Sequence, residues 1–223
     1  MPQAAERKAL QKGLLKLNEN MVTLAELSEL AIRKAIDALT RLDGEVAREV
    51  FTIDQEVYGL QLEIEHTCVD LIALHAPVAR DLRTITTSLK IKDLGELTLQ
   101  FSPFARGVEP ELTRIQEMAD RTIQMVDTAI DAFVKHDAES VRNIMQVDDA
   151  VDQMHDENFN ELVRRMTEGS LKIETGARYI LVNRYLERIA DHAVNIGMRV
   201  VYMVTGDWLP RERAADRAKR IPK

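Results

Sequence analysis

The sequence predicts an all-α protein of six long helices, arranged as a tandem duplication of a three-helix bundle. Three observations support this fold class. The 223 residues include only 9 glycines and 6 prolines, too few for the frequent turns of a β-sandwich or barrel. Apolar residues recur with the period of a packed helix, and one half of the chain resembles the other.

The first bundle is predicted from its apolar spacing and its helix-breaking residues. Over residues 10–42, apolar and small side chains alternate spacings of four and three, the period of a helix packed in a bundle. Residues 43–45 end this first helix, and Asp43 is a candidate cap for the next one. The second helix extends to about Leu74. Pro77 suits the first turn of the third helix, where its missing N–H needs no partner.

The second bundle is predicted from an internal repeat. Residues 35–60 align without a gap on residues 129–154, with nine identities in 26 positions, where chance gives about two. The second copy then contains helices from Pro110 or Glu111 to His136, from Asp137 to about Glu168, and from about Glu174 to Val204. Gly169 and Gly206 end the last two helices.

The repeat defines three segments of the chain. We expect the first three-helix unit at residues 1–106, the second at residues 107–206, and a basic tail at residues 207–223. The tail holds six Lys or Arg residues against three acids. Two interpretations of it stay open, namely a solvated chain end and a contact with an anionic membrane surface or an acidic partner.

Composition excludes several classes of protein. A net charge of -7 argues against binding to duplex DNA, which requires Lys and Arg to neutralise phosphates. No stretch approaches the roughly 18 apolar residues of a membrane span. One cysteine, Cys68, and a charged N-terminal segment predict a cytoplasmic protein without membrane insertion. No nucleophile motif or phosphate-binding glycine loop is present, and Cys68 is expected to be inert.

The densest chemical signal lies in the last predicted helix. Glu187, Asp191 and Asn195 are four residues apart, so two carboxylates and an amide oxygen share one helix face. Hard oxygen ligands at this spacing suit cations such as Mg, Ca, Mn or Fe. The alternative is that Arg184 and Arg188 pair with the carboxylates on a solvated face.

Two further patterns carry weaker signals. Asp148, Asp152 and Asp156 share a face of the preceding helix, which is either a second acidic face opposite the first or simply solvated. Glu63 and His66 match the Glu-x-x-His motif of di-iron bundles. Such bundles need two copies of that motif, so we interpret His66 as a surface or packing residue.

Residues 186–196, Leu-Glu-Arg-Ile-Ala-Asp-His-Ala-Val-Asn-Ile, closely resemble a motif of the PhoU family of phosphate-uptake regulators. Residues 77–83 resemble the family's entry into its third helix, and the repeated Asp37 and Asp131 match its helix pattern. The resemblance extends from about Met21 to Gly206. It implies a cytoplasmic, PhoU-like protein of two similar three-helix bundles that forms a homodimer.

The resemblance also implies a function without catalysis. PhoU proteins act with the ATPase subunit of the phosphate-specific ABC transporter and with a phosphate-sensing histidine kinase to repress the phosphate-starvation response. The second interpretation is a metal-handling, ferritin-like bundle that binds or oxidises iron. A DNA-binding regulator ranks last because the acidic chain leaves only the short tail for that role.

In the PhoU family, a Glu-x-x-x-Asp motif in each repeat binds metal. The resemblance places the second motif at Glu187 and Asp191, with Asn195 in its usual place. In the first motif Glu96 is followed by Gln100 where the family has Asp, and the alternative register pairs Asp93 with Leu97. We therefore expect the first site to be lost or weaker, and Pro103 to end or kink its helix. Which divalent or iron cation binds stays open.

Overall fold

A computed structural model describes the backbone of residues 2–41, 44–101 and 113–208. These residues form six α-helices and contain no strand, so the all-α fold class is confirmed. The helices are α1 (Pro2–Arg41), α2 (Gly44–His75), α3 (Ala79–Phe101), α4 (Thr113–Lys135), α5 (Val141–Thr167) and α6 (Ile173–Thr205).

The helices group into two bundles of three. Helices α1, α2 and α3 pack against one another, and so do α4, α5 and α6. The bundles are joined where α3 packs on α6 and α1 packs on α4. Within the described ranges, α2 contacts only α1 and α3, and α5 contacts only α4 and α6. Helices α2 and α5 therefore form the outer flanks of the molecule.

A single apolar core runs through both bundles. It includes Leu17 and Met21 of α1, Ile85 of α3 and Leu186 of α6, all fully buried. Burial of so many apolar side chains is the main source of folding stability in a helical bundle. In the parts of the chain described, no helix is apolar and long enough to cross a bilayer.

Several sulfur-containing side chains lie in the apolar core or pack against it. Met118 and Met125 lie in the core, and Met154 packs against it. Cys68 is fully buried, and this burial raises the pKa of its thiol to about 12. Because the thiolate is the reactive form, the thiol is chemically inert in the folded protein.

The turn before α3 differs from the prediction. Pro77 was expected in the first turn of the third helix, but α3 begins two residues later, at Ala79. Ala76 and Ala79 have φ angles of 43° and 49°, in the left-handed region, so the chain reverses direction around Pro77. Pro77 therefore belongs to the connection between α2 and α3.

The start of α5 was also predicted wrongly. The helix was expected from Asp137 but begins at Val141. The Asp137 carboxylate accepts hydrogen bonds from the backbone N–H groups of Glu139 (2.9 Å) and Ser140 (3.3 Å). The Ser140 hydroxyl also donates to this carboxylate and lowers the pKa of Asp137 most, followed by the two backbone bonds. Together these bonds fix a turn ahead of the helix.

The predicted end of the last helix is confirmed. Gly206 follows α6 with a φ angle of 86°, and its N–H donates to the carbonyl of Tyr202 at 2.9 Å. A left-handed glycine in this place is a common helix terminator.

Several predictions fall outside the described residues, namely those on Asp43, Pro103, the start of the fourth helix at residues 110–111, the boundary at residues 106–107 and the tail beyond Trp208.

Candidate functional site

The polar faces of α3 and α6 enclose a cleft of about 410 Å³. The cleft lies where the two bundles meet, so each repeat supplies one wall. Its lining contains three basic and three acidic groups, which balance one another. The lining residues are Lys90, Asp93, Glu96, Leu97 and Gln100 from α3, with Arg184, Arg188, Asp191, His192 and Asn195 from α6.

The second predicted motif is divided between the cleft and the helix interface. Asp191 and Asn195 line the cleft, and the Asn195 side-chain amide donates to the backbone carbonyl of Asp191 at 2.9 Å. Glu187 is buried, with only 8% of its surface exposed. Its carboxylate accepts a hydrogen bond from the Arg184 guanidinium at 2.7 Å. The sequence left open that an arginine pairs with these carboxylates, and this pairing is observed for Glu187. The pairing was expected on a solvated face, whereas Glu187 is buried.

The first predicted motif occupies the opposite wall of the same cleft. Glu96 is exposed and accepts a hydrogen bond from the side chain of Gln100 at 3.3 Å. Asp93 and Leu97, the residues of the alternative register, also line the cleft. The structure therefore brings both motifs together, which the sequence does not reveal.

The Gln100 that replaces the family's aspartate has a partner across the helix pair. The Arg188 guanidinium donates to the Gln100 side-chain oxygen at 3.1 Å and lies 5.3 Å from the centre of the Tyr185 ring. The neutral side-chain amide of Gln100 thus binds Arg188 at the position where the family's motif has a metal-binding carboxylate. This contact agrees with the expectation that the first site is lost or weaker than the second, which stays a prediction.

His192 joins α6 to α3 at the bottom of the cleft. Its Nε2 lies 3.0 Å from the backbone carbonyl of Lys90. Because a carbonyl only accepts, we assign the proton to Nε2. Burial, followed by the nearby Lys90 charge, lowers the pKa of His192 to about 4, so the ring is neutral at pH 7. A second cross-link is the bond from the Arg83 guanidinium to the carbonyl of Met203, 3.1 Å long.

Amide side chains fix each wall of the cleft to its own flank helix. In the first repeat, the Gln61 side chain of α2 donates to the carbonyl of Lys92 in α3 at 3.0 Å. In the second, the Asn183 side chain of α6 donates to the carbonyl of His155 in α5 at 2.8 Å, and its oxygen accepts from Asn158 at 3.1 Å. These bonds fix how α3 and α6 are rotated about their own axes, and so determine which of their side chains face the cleft.

The cation implied by the PhoU resemblance does not fit these side chains as they are arranged. Among the described residues, no group of three or more His, Cys, Asp or Glu side chains could hold a metal ion. Glu187 faces Arg184, and two further cations, Lys90 and Arg188, line the cleft. A cation at Glu187 and Asp191 requires the Arg184 side chain to move away. The metal site therefore stays a prediction.

The other acidic patterns lie away from the cleft. Asp148 is buried in α5, Asp156 is exposed, and neither lines the cleft. Glu63 on α2 forms an ion pair with Lys16 of α1 (2.6 Å), and His66 is exposed on the molecular surface. The Glu-x-x-His motif therefore points outward, whereas a di-iron bundle needs its ligands in the interior.

Comparison with known proteins identifies relatives over nearly the whole chain. The family model described as the PhoU domain matches twice, at residues 21–93 and 115–200. A phosphate-specific transport system accessory protein PhoU homolog of Clostridium acetobutylicum is 28% identical over 210 residues, which is 90% of this chain and 96% of the relative. A homolog from Pseudomonas aeruginosa is 30% identical over 200 residues, covering 85% of this chain and 83% of the relative.

Solved structures agree with these sequence matches. The crystal structure of PhoU from Pseudomonas aeruginosa superposes with a TM-score of 0.80 at 28% identity, covering 88% of this chain and 99% of that one. The phosphate transport system regulatory protein PhoU from Streptococcus pneumoniae gives a TM-score of 0.79 at 26% identity, covering 90% and 99%. The two domain matches correspond to the two three-helix bundles.

Replacing His192 with alanine tests the link between the bundles. We expect His192→Ala to lower the free energy of unfolding by about 2 kcal/mol, because it removes buried packing and a buried hydrogen bond. Urea unfolding measures the change. The control is Glu174→Ala, an exposed position on the same helix, which should change it by less than about 0.5 kcal/mol. Equal effects of the two substitutions would contradict this role for His192.

Metal content tests the two motifs. We expect metal that copurifies with the wild-type protein, without chelators or metal-affinity resin, to be lost from the Glu187→Ala/Asp191→Ala variant, because both carboxylate ligands are removed. Glu96→Ala should leave the metal content unchanged, because the first motif lacks its second carboxylate. Elemental analysis makes the measurement. Equal loss in both variants would contradict the ranking of the motifs, and retention in the double variant would contradict the site.

Proposed function

The chain belongs to the PhoU family, and from this membership we propose that it is a cytoplasmic regulator of phosphate homeostasis. It damps phosphate-specific ABC transport when phosphate is plentiful and negatively regulates the phosphate-starvation response. Both effects arise from protein contacts. The direct partners are the ATPase subunit of the phosphate transporter and the phosphate-sensing histidine kinase.

One observation carries this proposal. Both bundles match the family model, and the match to the curated relatives is nearly end to end, reaching 96% of the Clostridium acetobutylicum protein. That relative is named as an accessory protein of the phosphate-specific transport system. Because the similarity is not limited to one module, the accessory role of the whole relative is the best guide to the role of this chain.

The structure supports a role in binding rather than in catalysis. Long helices present extended outer faces on α2 and α5, which suit contact with two different proteins. In the described part of the chain, the cleft pairs basic with acidic groups, and Cys68 is buried with a raised pKa. These features provide recognition surfaces without an activated nucleophile.

Two finer expectations accompany the proposal. The PhoU resemblance implies a homodimer, and it implies a divalent or iron cation at Glu187, Asp191 and Asn195. The regulatory function as stated requires neither of them. The ferritin-like interpretation loses its second ligand set, because Glu63 pairs with Lys16 and His66 is exposed.

Deletion of the gene tests the proposed function. In phosphate-rich medium we expect the deletion strain to take up phosphate faster and to express its starvation genes, because the transporter and the kinase are no longer restrained. The wild-type gene supplied in trans should reverse both effects. Uptake of labelled phosphate and transcript levels provide the readouts. Unchanged expression in rich phosphate would contradict the proposal.

Copurification tests the direct contact. The full chain should retain the phosphate transporter's ATPase subunit on a column, and it should not retain the ATPase subunit of an unrelated sugar transporter, which serves as the control. Equal retention of both subunits, or of neither, would contradict a specific contact with the phosphate system.

A further inference from the structure

One end of the molecule is strongly basic, although the chain as a whole is acidic. Three segments meet there, namely the start of α1 (residues 6–12), the connection from α2 into α3 (residues 74–83) and the end of α6 (residues 199–208). We call this surface the basic end. Together with the tail that follows it, residues 209–223, it holds 12 of the chain's 30 Lys and Arg residues but five of its 37 Asp and Glu residues.

The start of α1 lies beside the end of α2. Lys16 of α1 forms an ion pair with Glu63 of α2 at 2.6 Å. Gly13, nearer the start of α1, lies directly against the side chain of Leu71, nearer the end of α2. The two helices are therefore antiparallel, and residues 6–12 are neighbours of the connection between α2 and α3.

The end of α6 is held against the start of α3. The Arg83 guanidinium donates to the carbonyl of Met203 at 3.1 Å and lies 5.8 Å from the centre of the Tyr202 ring. The three segments therefore form one surface. The second bundle's turn at this end, residues 135–142, holds two Lys or Arg residues and two acids. The excess of positive charge thus belongs to the basic end and its tail.

Large apolar side chains are exposed at the same surface. Leu74 and Val78 are each 74% exposed, and Leu82 is 38% exposed. Arg80 and Arg83 alternate with them along the chain. Cations attract anionic lipid head groups, and apolar side chains enter the boundary between head groups and acyl chains. The combination found here is therefore typical of a surface that binds an anionic membrane.

The second repeat shows that this connection does not require apolar residues. The repeat offset of 94 aligns the start of α3 with the start of α6. At the positions of Leu74 and Val78, the connection between α5 and α6 has Glu168 and Lys172. It exposes one large apolar side chain, Ile173 (74%). The fold thus tolerates charged residues at both positions, so Leu74 and Val78 serve another purpose.

Trp208 adds an aromatic group to the basic end. Gly206, with its left-handed backbone, turns the chain back after α6, and the Trp208 ring stacks on Tyr202 with 4.2 Å between the ring centres. The Arg199 guanidinium lies 4.9 Å from the centre of the Trp208 ring. More than half of Trp208 nevertheless stays exposed. Tryptophan is favoured at the boundary between lipid head groups and acyl chains.

We propose that the basic end binds the surface of a bilayer that contains anionic lipids. Leu74, Val78 and Trp208 enter the boundary between head groups and acyl chains, while the Lys and Arg side chains of the basic end and the tail contact the head groups. The chain lies on the membrane and does not cross it. Its helices stand end-on to the bilayer, so the outer faces of α2 and α5 stay accessible to proteins.

The placement of the apolar groups favours a bilayer over an acidic protein. Val78 lies on a connection between helices, and Trp208 follows the end of a helix. A fluid bilayer adapts to separate protruding side chains, whereas protein partners bind through shaped, closely packed surfaces. This inference concerns lipid contact and does not depend on the phosphate role.

Vesicle sedimentation tests the proposal with the full chain and without any transporter. We expect binding to vesicles that mix phosphatidylcholine with phosphatidylglycerol, and little binding to phosphatidylcholine alone. Raising the salt concentration from about 0.1 M to about 0.5 M should weaken binding at least about ten-fold, because salt screens exposed charges. Soluble polyglutamate, the probe for an acidic partner, should compete poorly because it offers no apolar phase.

Reversed charges test the contact with head groups. Lys8→Glu/Lys12→Glu should weaken vesicle binding at least about 20-fold, because each lysine near an anionic surface contributes roughly five-fold. The matched control is Arg114→Glu/Arg164→Glu, at exposed positions where α4 begins and α5 ends, at the opposite end of the molecule. It changes the net charge equally and should weaken binding less than about three-fold, because distant charges are screened.

A matched pair of substitutions tests the apolar contact. Val78→Asp should weaken vesicle binding about ten-fold, because a charged group replaces an apolar one at the lipid boundary. Ile173→Asp, equally exposed in the corresponding connection of the second repeat, should leave binding unchanged. Circular dichroism confirms that both variants keep their helices, as expected for exposed positions.

Fluorescence reports the contact directly, because Trp208 is the only tryptophan in the chain. Its emission should shift to shorter wavelength when phosphatidylglycerol vesicles are added, and lipids brominated near the head group should quench it. Phosphatidylcholine vesicles should cause neither change.

Four results would overturn the proposal. The first is no binding to phosphatidylglycerol vesicles, or equal binding to phosphatidylcholine alone. The second is full competition by polyglutamate, which would indicate an acidic partner instead. The third is an equal effect of the two substitutions in either matched pair. The fourth is vesicle binding that leaves the emission of Trp208 unchanged.

Discussion

The packing of α3 against α6 is the constraint on which the rest of the structure depends. It joins two bundles that otherwise meet only through α1 and α4 in the described part of the chain. The neutral ring of His192, in the middle of α6, donates to the carbonyl of Lys90. The Arg83 guanidinium donates to the carbonyl of Met203 near the C-terminal end of α6. Because these bonds lie beside a continuous apolar core, the duplicated halves form one body.

Divergence of the two halves gives the molecule different surfaces. In the cleft, Gln100 holds Arg188 from the second repeat, whereas the corresponding Asp191 remains a carboxylate. On the flanks, Tyr58 and Leu62 of α2 correspond to two aspartates in α5. A duplicated bundle with identical copies would offer each surface twice. The observed asymmetry instead gives the two flanks different surfaces.

The helices and their grouping into two three-helix bundles were predictable from the sequence, because the 3.5-residue period marks the packed helices and the internal repeat marks the two copies. Helix starts were less predictable. Asp137 shows the reason, because its carboxylate binds backbone N–H groups in a turn ahead of α5 instead of starting the helix. The residues of the second motif were identified, but the burial of Glu187 against Arg184 depends on how α6 is rotated. The contact between Arg188 and Gln100 joins residues 88 positions apart and depends on where two helices cross.

Hydrogen exchange under native conditions tests the central claim, that α3 and α6 make the two bundles a single cooperative unit. The slowest amides of α1, α3, α4 and α6 should exchange with one common opening free energy, equal to that of global unfolding. Mass spectrometry of peptides from the four helices resolves them. Full exchange of one bundle while the other remains protected would show that the halves unfold independently and would contradict the account.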